Sequence, residues 1–208
     1  MDTMNGNQIV RKDSKNCFVE SLNDSFPIGK MHLCFAAYDL ARPEGSRQTN
    51  AVHIYIAADE FLELCRKLEC GELRRMAQMR REKGDRSPLF QTLGGTSSER
   101  LAKLKKPRKD GKSLSRVMQL CVGIKTEFLL VADSGAGETT QKGLIVPKFG
   151  GEPENHVAVG MVFETLSELL QLTKLHYQAW LTAQYAQGSI TTKREKPDLD
   201  EGIGLFAM

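Results

Sequence analysis

The hydrophobic pattern of the chain changes twice from a period of two to a period of three to four, and each change predicts strands followed by a helix. In the first half, Met31–Tyr38 is an apolar strand-like run and Ala51–Ile56 alternates between apolar and polar residues. A helix with one apolar side follows from about Asp59, whose carboxylate is a suitable N-cap. The first half therefore predicts two strands and a helix.

The second half predicts a four-stranded meander that leads into a long helix. Its strand-like runs cover residues 117–124, 127–132, 143–149 and 156–163, and the glycine-rich stretch Asp133–Thr140 is expected to form a turn between two of them. A capping-box pattern at Thr165–Glu168 opens a helix whose apolar residues recur at helical spacing to about Tyr185. The predicted fold class is α+β with an antiparallel sheet.

Composition divides the chain into one domain and two polar ends. Residues 30–187 form the predicted domain, with a basic helical and loop insertion at 71–113, whereas residues 1–29 are expected to be a mobile arm and residues 188–208 a disordered tail. No apolar run reaches the roughly 18 residues of a membrane span, and the N-terminus is too polar for a signal peptide. We therefore expect a cytoplasmic protein without membrane contact.

Positive charge is concentrated in one quarter of the chain. Residues 66–116 contain 16 Lys or Arg and 6 Asp or Glu, a net charge of +10, while the remainder carries −7. Such an asymmetry favours a polyanionic partner over an evenly solvated surface.

Patterns for metal binding, nucleotide binding and catalysis are missing from the sequence. The four histidines have no metal-ligand spacing, and Asp133–Thr140 lacks the lysine and hydroxyl residue that a phosphate loop requires. No nucleophile-elbow pattern occurs either. The sequence therefore predicts a protein that is not an enzyme and that needs no cofactor.

Unpaired bases require aromatic surfaces beside the cations that hold the phosphates. His53 and Tyr55 alternate with Val52, Ile54 and Ile56, so they are predicted to lie on the face opposite the core. The predicted phosphate contacts are Arg74, Arg75, Arg80, Arg81, Lys105, Lys106, Arg108, Lys109, Lys112 and Arg116.

The predicted element order resembles that of single-stranded nucleic-acid binders of the Whirly and transcriptional positive cofactor four type. The resemblance covers residues 114–187 and, in part, residues 30–70, where only two strands are predicted. In those families a repeat of four curved strands and a helix presents its sheet to unpaired bases. The resemblance implies single-stranded DNA binding with little sequence preference.

Two further stretches add to this picture. The end of the chain resembles the acidic tip of bacterial single-stranded DNA-binding proteins, which implies that replication or conjugation proteins bind its Asp198, Asp200, Glu201 and Phe206. The texture around Leu93–Thr96 resembles accessory proteins of conjugative, mobile elements in Gram-positive anaerobes.

Three questions stay open at the level of sequence. The nucleic acid is DNA or RNA, and the competing hypothesis is a protein-interaction adaptor whose basic segment binds an acidic partner. The two strands predicted for the first half do not suffice to cover the helix that carries Trp180, which favours a homodimer.

Overall fold

The first half of the chain forms a four-stranded antiparallel sheet, called sheet A here, and two helices. The computed structural model describes residues 7–189. Sheet A has the strand order β1 (Gln8–Ser14), β2 (Cys17–Leu22), β3 (Lys30–Tyr38) and β4 (Gln48–Ala57). A 3-10 helix, Phe26–Ile28, joins β2 to β3, and helices α1 (Ala58–Glu69) and α2 (Glu72–Lys83) follow β4.

The prediction of a mobile arm over residues 1–29 is wrong from Gln8 onward. Strands β1 and β2 form a tight hairpin in which Ser14 pairs with Cys17, and Asn16 adopts a left-handed conformation in the turn (φ 59°). Only alternate residues of β2 face the core, and β1 is an edge strand with exposed polar residues. Two such strands contain too few apolar residues to give a clear period in the sequence.

The second half forms a five-stranded antiparallel sheet, sheet B. Its strands are β5 (Phe90–Thr96), β6 (Ser113–Val122), β7 (Phe128–Thr139), β8 (Ile145–Pro147) and β9 (Asn155–Met161). The short helix α3 (Ser98–Lys103) joins β5 to β6, and the 24-residue helix α4 (Phe163–Ala186) follows β9. The α+β class with antiparallel sheets and a long C-terminal helix is thus confirmed.

Sheet B is not a simple meander, because β8 and β9 both pair with β7. The first part of β7 pairs with β9 and its last three residues pair with β8. The stretch Asp133–Thr140, predicted as a turn, therefore lies mostly within β7. Its glycines allow close packing rather than reversal of the chain: a Cβ atom at Gly135 would lie 3.0 Å from the Phe149 ring, and one at Gly137 would lie 2.7 Å from the Cβ atom of Ser115.

Residues 71–113 are part of the domain and not an insertion. Strand β5 pairs with β6 along its whole length, and α2 buries Leu73 and Ala77. The Gly94–Gly95 pair lies inside β5. A Cβ atom at Gly95 would stand 2.1 Å from the carbonyl oxygen of Leu114, so only glycine fits at this position.

One hydrophobic core joins the two sheets and the helices. The inward faces of sheets A and B pack against each other, and α1 and α4 complete the cluster. Phe26 is buried against the rings of Tyr177 and Trp180, with centroid distances of 5.2 and 5.9 Å. The N-terminal segment therefore packs on the helix that was expected to be uncovered. This removes the argument for a homodimer, which stays an untested prediction.

Candidate nucleic-acid interface

His53 and Tyr55 lie on the outer face of sheet A, as the alternation of β4 predicts. Val52, Ile54 and Ile56 are fully buried on the opposite face, whereas Tyr55 is 37% exposed. The Tyr55 ring stacks on the ring of His32 at a centroid distance of 4.4 Å. His32 comes from β3, directly opposite Tyr55 in the sheet.

His32 links Asp24 to His53 through hydrogen bonds. Its Nδ1 lies 2.8 Å from a carboxylate oxygen of Asp24, and its Nε2 lies 2.9 Å from Nδ1 of His53. Because an ionised carboxylate only accepts hydrogen bonds, His32 donates to Asp24 through Nδ1. Burial, followed by the charges of His32 and Arg116, lowers the pKa of His53 below its ordinary value. We infer that His53 is neutral at pH 7 and held in one orientation.

Two more aromatic side chains, Phe18 and Tyr38, lie on the same face. Phe18 and Tyr38 have ring centroids 6.3 Å apart, and the guanidinium of Arg11 lies 3.6 Å above the Phe18 ring. Phe18 belongs to the segment predicted to be mobile, so it could not be placed from the sequence. Asp13 and Glu20 also lie on this face. The outer face of sheet A is therefore rich in rings but not strongly basic.

The four arginines of α2 contact neighbouring parts of the fold. Arg74 lies 3.6 Å over the Phe163 ring and 3.8 Å from Glu164. Arg75 donates to the Cys70 carbonyl, Arg80 pairs with Asp85, and Arg81 donates to the Glu127 carbonyl at 2.6 Å. These contacts fix a helix that buries few apolar residues, and they leave the arginines less available to a ligand.

The loop after α3 contains cations of two kinds. Arg108 pairs with both Asp110 and Glu154, at 2.8 and 2.5 Å. In contrast, four exposed lysines have no ion pair among residues 7–189: Lys105, Lys106, Lys109 and Lys112. The loop therefore provides lysines that are free to contact phosphate, while Arg108 organises the loop.

The predicted phosphate contacts fall into two groups at opposite ends of β6. Arg81 of α2 contacts Glu127, beside the end of β6 at Val122, whereas the lysine loop leads into the start of β6 at Ser113. The ten residues of β6 span about 30 Å at about 3.3 Å per residue. The two groups do not form one basic patch.

Arg116 lies near the start of β6, into which the lysine loop leads, and close to the aromatic side chains on the outer face of sheet A. It lies on the inward face of β6, half-buried, donates a hydrogen bond to Thr96 Oγ1 at 3.0 Å, and has its guanidinium 6.0 Å from the centre of the Tyr55 ring. Burial lowers its pKa. Lys30 and Arg100 line the same cleft as Arg116.

Several features predicted from the sequence lie beyond what the structure tests. The tail residues Asp198, Asp200, Glu201 and Phe206 are outside the described range of 7–189. Within that range, no three His, Cys, Asp or Glu side chains are grouped so that they could hold a metal ion. None of the helices described there has both the length and the apolar character of a membrane span.

Comparisons with protein-family models, curated proteins and solved structures gave no match.

Proposed function

We propose that this protein binds single-stranded DNA with little sequence preference and works in the cytoplasm. The observation that carries the proposal is that Arg116, which has no carboxylate partner in the described chain, lies between exposed lysines and a sheet face with several aromatic side chains. Cations that release counterions from phosphates, next to rings on which bases stack, are what binding of a single strand requires.

The order of the elements supports the same function. Each half of the chain builds an antiparallel sheet of four or more strands and then a helix. Strands β1 and β2 supply the two strands that the first half lacked in the sequence-based comparison with Whirly-type proteins. The resemblance we propose now extends over both halves, and it would use the outer face of sheet A for bases.

A titration of fluorescent oligo-dT at several salt concentrations tests the electrostatic part. Each phosphate contact on a single strand contributes about −0.7 to the slope of log K against log salt. The double substitution Lys105→Gln with Lys106→Gln should therefore weaken binding and make the slope shallower by about 1.4. The matched control, Lys83→Gln with Lys125→Gln, removes two exposed lysines at the far end of sheet B and should leave both quantities unchanged.

A comparison of ligands tests the contribution of the bases. An abasic strand of the same length keeps the phosphates but should bind more weakly, because stacking contributes about 1–3 kcal/mol per base. Duplex DNA should also bind more weakly, and an RNA strand in the same assay determines the preference between DNA and RNA. If neither DNA nor RNA binds at micromolar protein while an acidic peptide does, the adaptor hypothesis replaces this one.

A further inference from the structure

A cleft of about 450 Å³ opens beside Tyr55, where sheet A meets the start of α3. Its lining includes Lys30 from β3, Arg100 from α3 and Arg116 from β6, and it contains no Asp or Glu. The volume lies within the range of about 300–1,000 Å³ that is usual for small-molecule sites. Three cations therefore surround a space that a small ligand can enter.

The guanidinium of Arg116 has fewer hydrogen-bond acceptors around it than it can bind, and no anion balances its charge among residues 7–189. The fold withdraws its guanidinium partly from water and provides one hydroxyl, Thr96 Oγ1, as a hydrogen-bond acceptor. No carboxylate of the described residues forms an ion pair with Arg116, Arg100 or Lys30. A guanidinium has five N–H donors, so most of those of Arg116 remain available to a ligand.

The backbone at Gly94 keeps the cleft open. Gly94 pairs directly with Arg116, so a side chain at position 94 would lie on the same face as that of Arg116. Apart from the two chain neighbours of Gly94, no atom of residues 7–189 would lie within 4 Å of a Cβ atom there. The absence of a side chain at Gly94 is thus not required by packing, and it leaves room next to the guanidinium.

The charge of the cleft favours a phosphate monoester over a diester. A monoester carries about −1.5 to −2 at pH 7, whereas an internal diester of a strand carries about −1. Arginine binds phosphate oxygens in a bidentate manner, and Arg100 and Lys30 would add further charge-assisted hydrogen bonds.

We infer that the cleft of Lys30, Arg100 and Arg116 binds a phosphate monoester, either the terminal phosphate of a nucleic-acid strand or that of a free nucleoside monophosphate. For the first source the inference rests on the proposed function. The second source does not require it.

The test measures how binding depends on a terminal phosphate. Oligo-dT with a 5′-phosphate, a 3′-phosphate or only hydroxyl ends is titrated against the full chain, and dTMP and thymidine are titrated in parallel by calorimetry. We expect a phosphorylated end to increase affinity about tenfold, which corresponds to one charge-assisted hydrogen bond of about 1.4 kcal/mol.

Three variants and a control locate the effect. Arg116→Met and Gly94→Val should each abolish the preference for phosphate, the first by removing charge and the second by filling the cleft, while Arg116→Lys should keep part of it. Arg86→Gln removes an exposed arginine near the other end of β6 and should change nothing. Thermal melts of all variants confirm folding, and the loss in Gly94→Val does not depend on a change in charge.

The outcomes separate this inference from the proposed function. A preference for a phosphorylated end that is lost in both Arg116→Met and Gly94→Val supports the strand terminus as ligand, and dTMP binding without such a preference supports the free nucleotide. If neither phosphate source matters, or if Arg116→Met retains the preference, the inference is overturned, although oligo-dT binding would still uphold the proposed function. If dTMP binds but oligo-dT does not, the proposed function fails and the cleft remains.

Discussion

Replacement of Arg116 by methionine should stabilise the fold while it weakens phosphate binding. Methionine keeps a long unbranched side chain but removes a half-buried charge that has no carboxylate partner among residues 7–189. The lost hydrogen bond to Thr96 Oγ1 and the distant contact with the Tyr55 ring together contribute about 2 kcal/mol. Replacement of a buried ion pair by apolar groups of similar volume is neutral or stabilises proteins by about 1–4 kcal/mol, and we take about 3 kcal/mol for this unpaired charge.

The expected net change is a gain of about 1 kcal/mol in the free energy of unfolding, which corresponds to a rise in Tm of about 2–4 °C for a chain of this size. Urea titration followed by circular dichroism, together with a thermal melt, measures both quantities. The control Arg86→Gln should stay within about 0.5 kcal/mol of the wild type. A loss of stability in Arg116→Met would mean that Arg116 stabilises the pairing of β5 and β6. It would refute the argument that the charge of Arg116 is uncompensated until an anion binds.

Two further predictions concern parts of the structure that the sequence did not indicate. Phe26→Ala should lower the free energy of unfolding by about 3–5 kcal/mol in urea titration, because Phe26 is buried against Tyr177 and Trp180; a cost under about 1 kcal/mol would mean that the N-terminal segment is not docked on α4. The pKa of His53 is lower in the folded chain than its ordinary value of 6.5. As the pH falls, His53 therefore binds a proton more readily in the unfolded chain than in the folded one. The free energy of unfolding should fall as the pH drops below about 6.5. Melts between pH 7.5 and 5 should show a smaller loss for His53→Gln, and an identical loss would assign the effect to other groups.

The strands with strong periodicity could be predicted from the sequence, and those without it could not. In β4, three buried branched residues alternate with His53 and Tyr55, so both the strand and its outward face are evident. Strand β1 has no fully buried residue, β2 buries the polar Ser21 beside Cys17, Val19 and Leu22, and β5 contains a glycine pair, so long-range pairing decides their structure. Periodicity in a sequence indicates a strand that buries one of its two faces. It does not indicate a strand that is stabilised mainly by pairing with neighbouring strands.

His32 illustrates a signal that was present in the sequence but was not used. It alternates with the buried Met31 and Leu33 in β3, so it belongs to the face opposite the core in the same way as His53 does in β4. The antiparallel register then places it opposite Tyr55. Its hydrogen bond to Asp24 could not be foreseen, because Asp24 lies in a segment expected to be mobile.

The concentration of positive charge in residues 66–116 has two physical causes, and only one of them points to a ligand. Helix α2 buries little more than Leu73 and Ala77, so its arginines stabilise it by covering Phe163, pairing with acids and donating to carbonyl groups. In the part of the chain that the structure describes, the cations from Arg100 to Arg116 have few such partners, and Arg108 is the exception. A run of charge in a sequence indicates a binding site only where the fold leaves the cations without intramolecular partners, and here that criterion selects the end of β6 that contains Arg116.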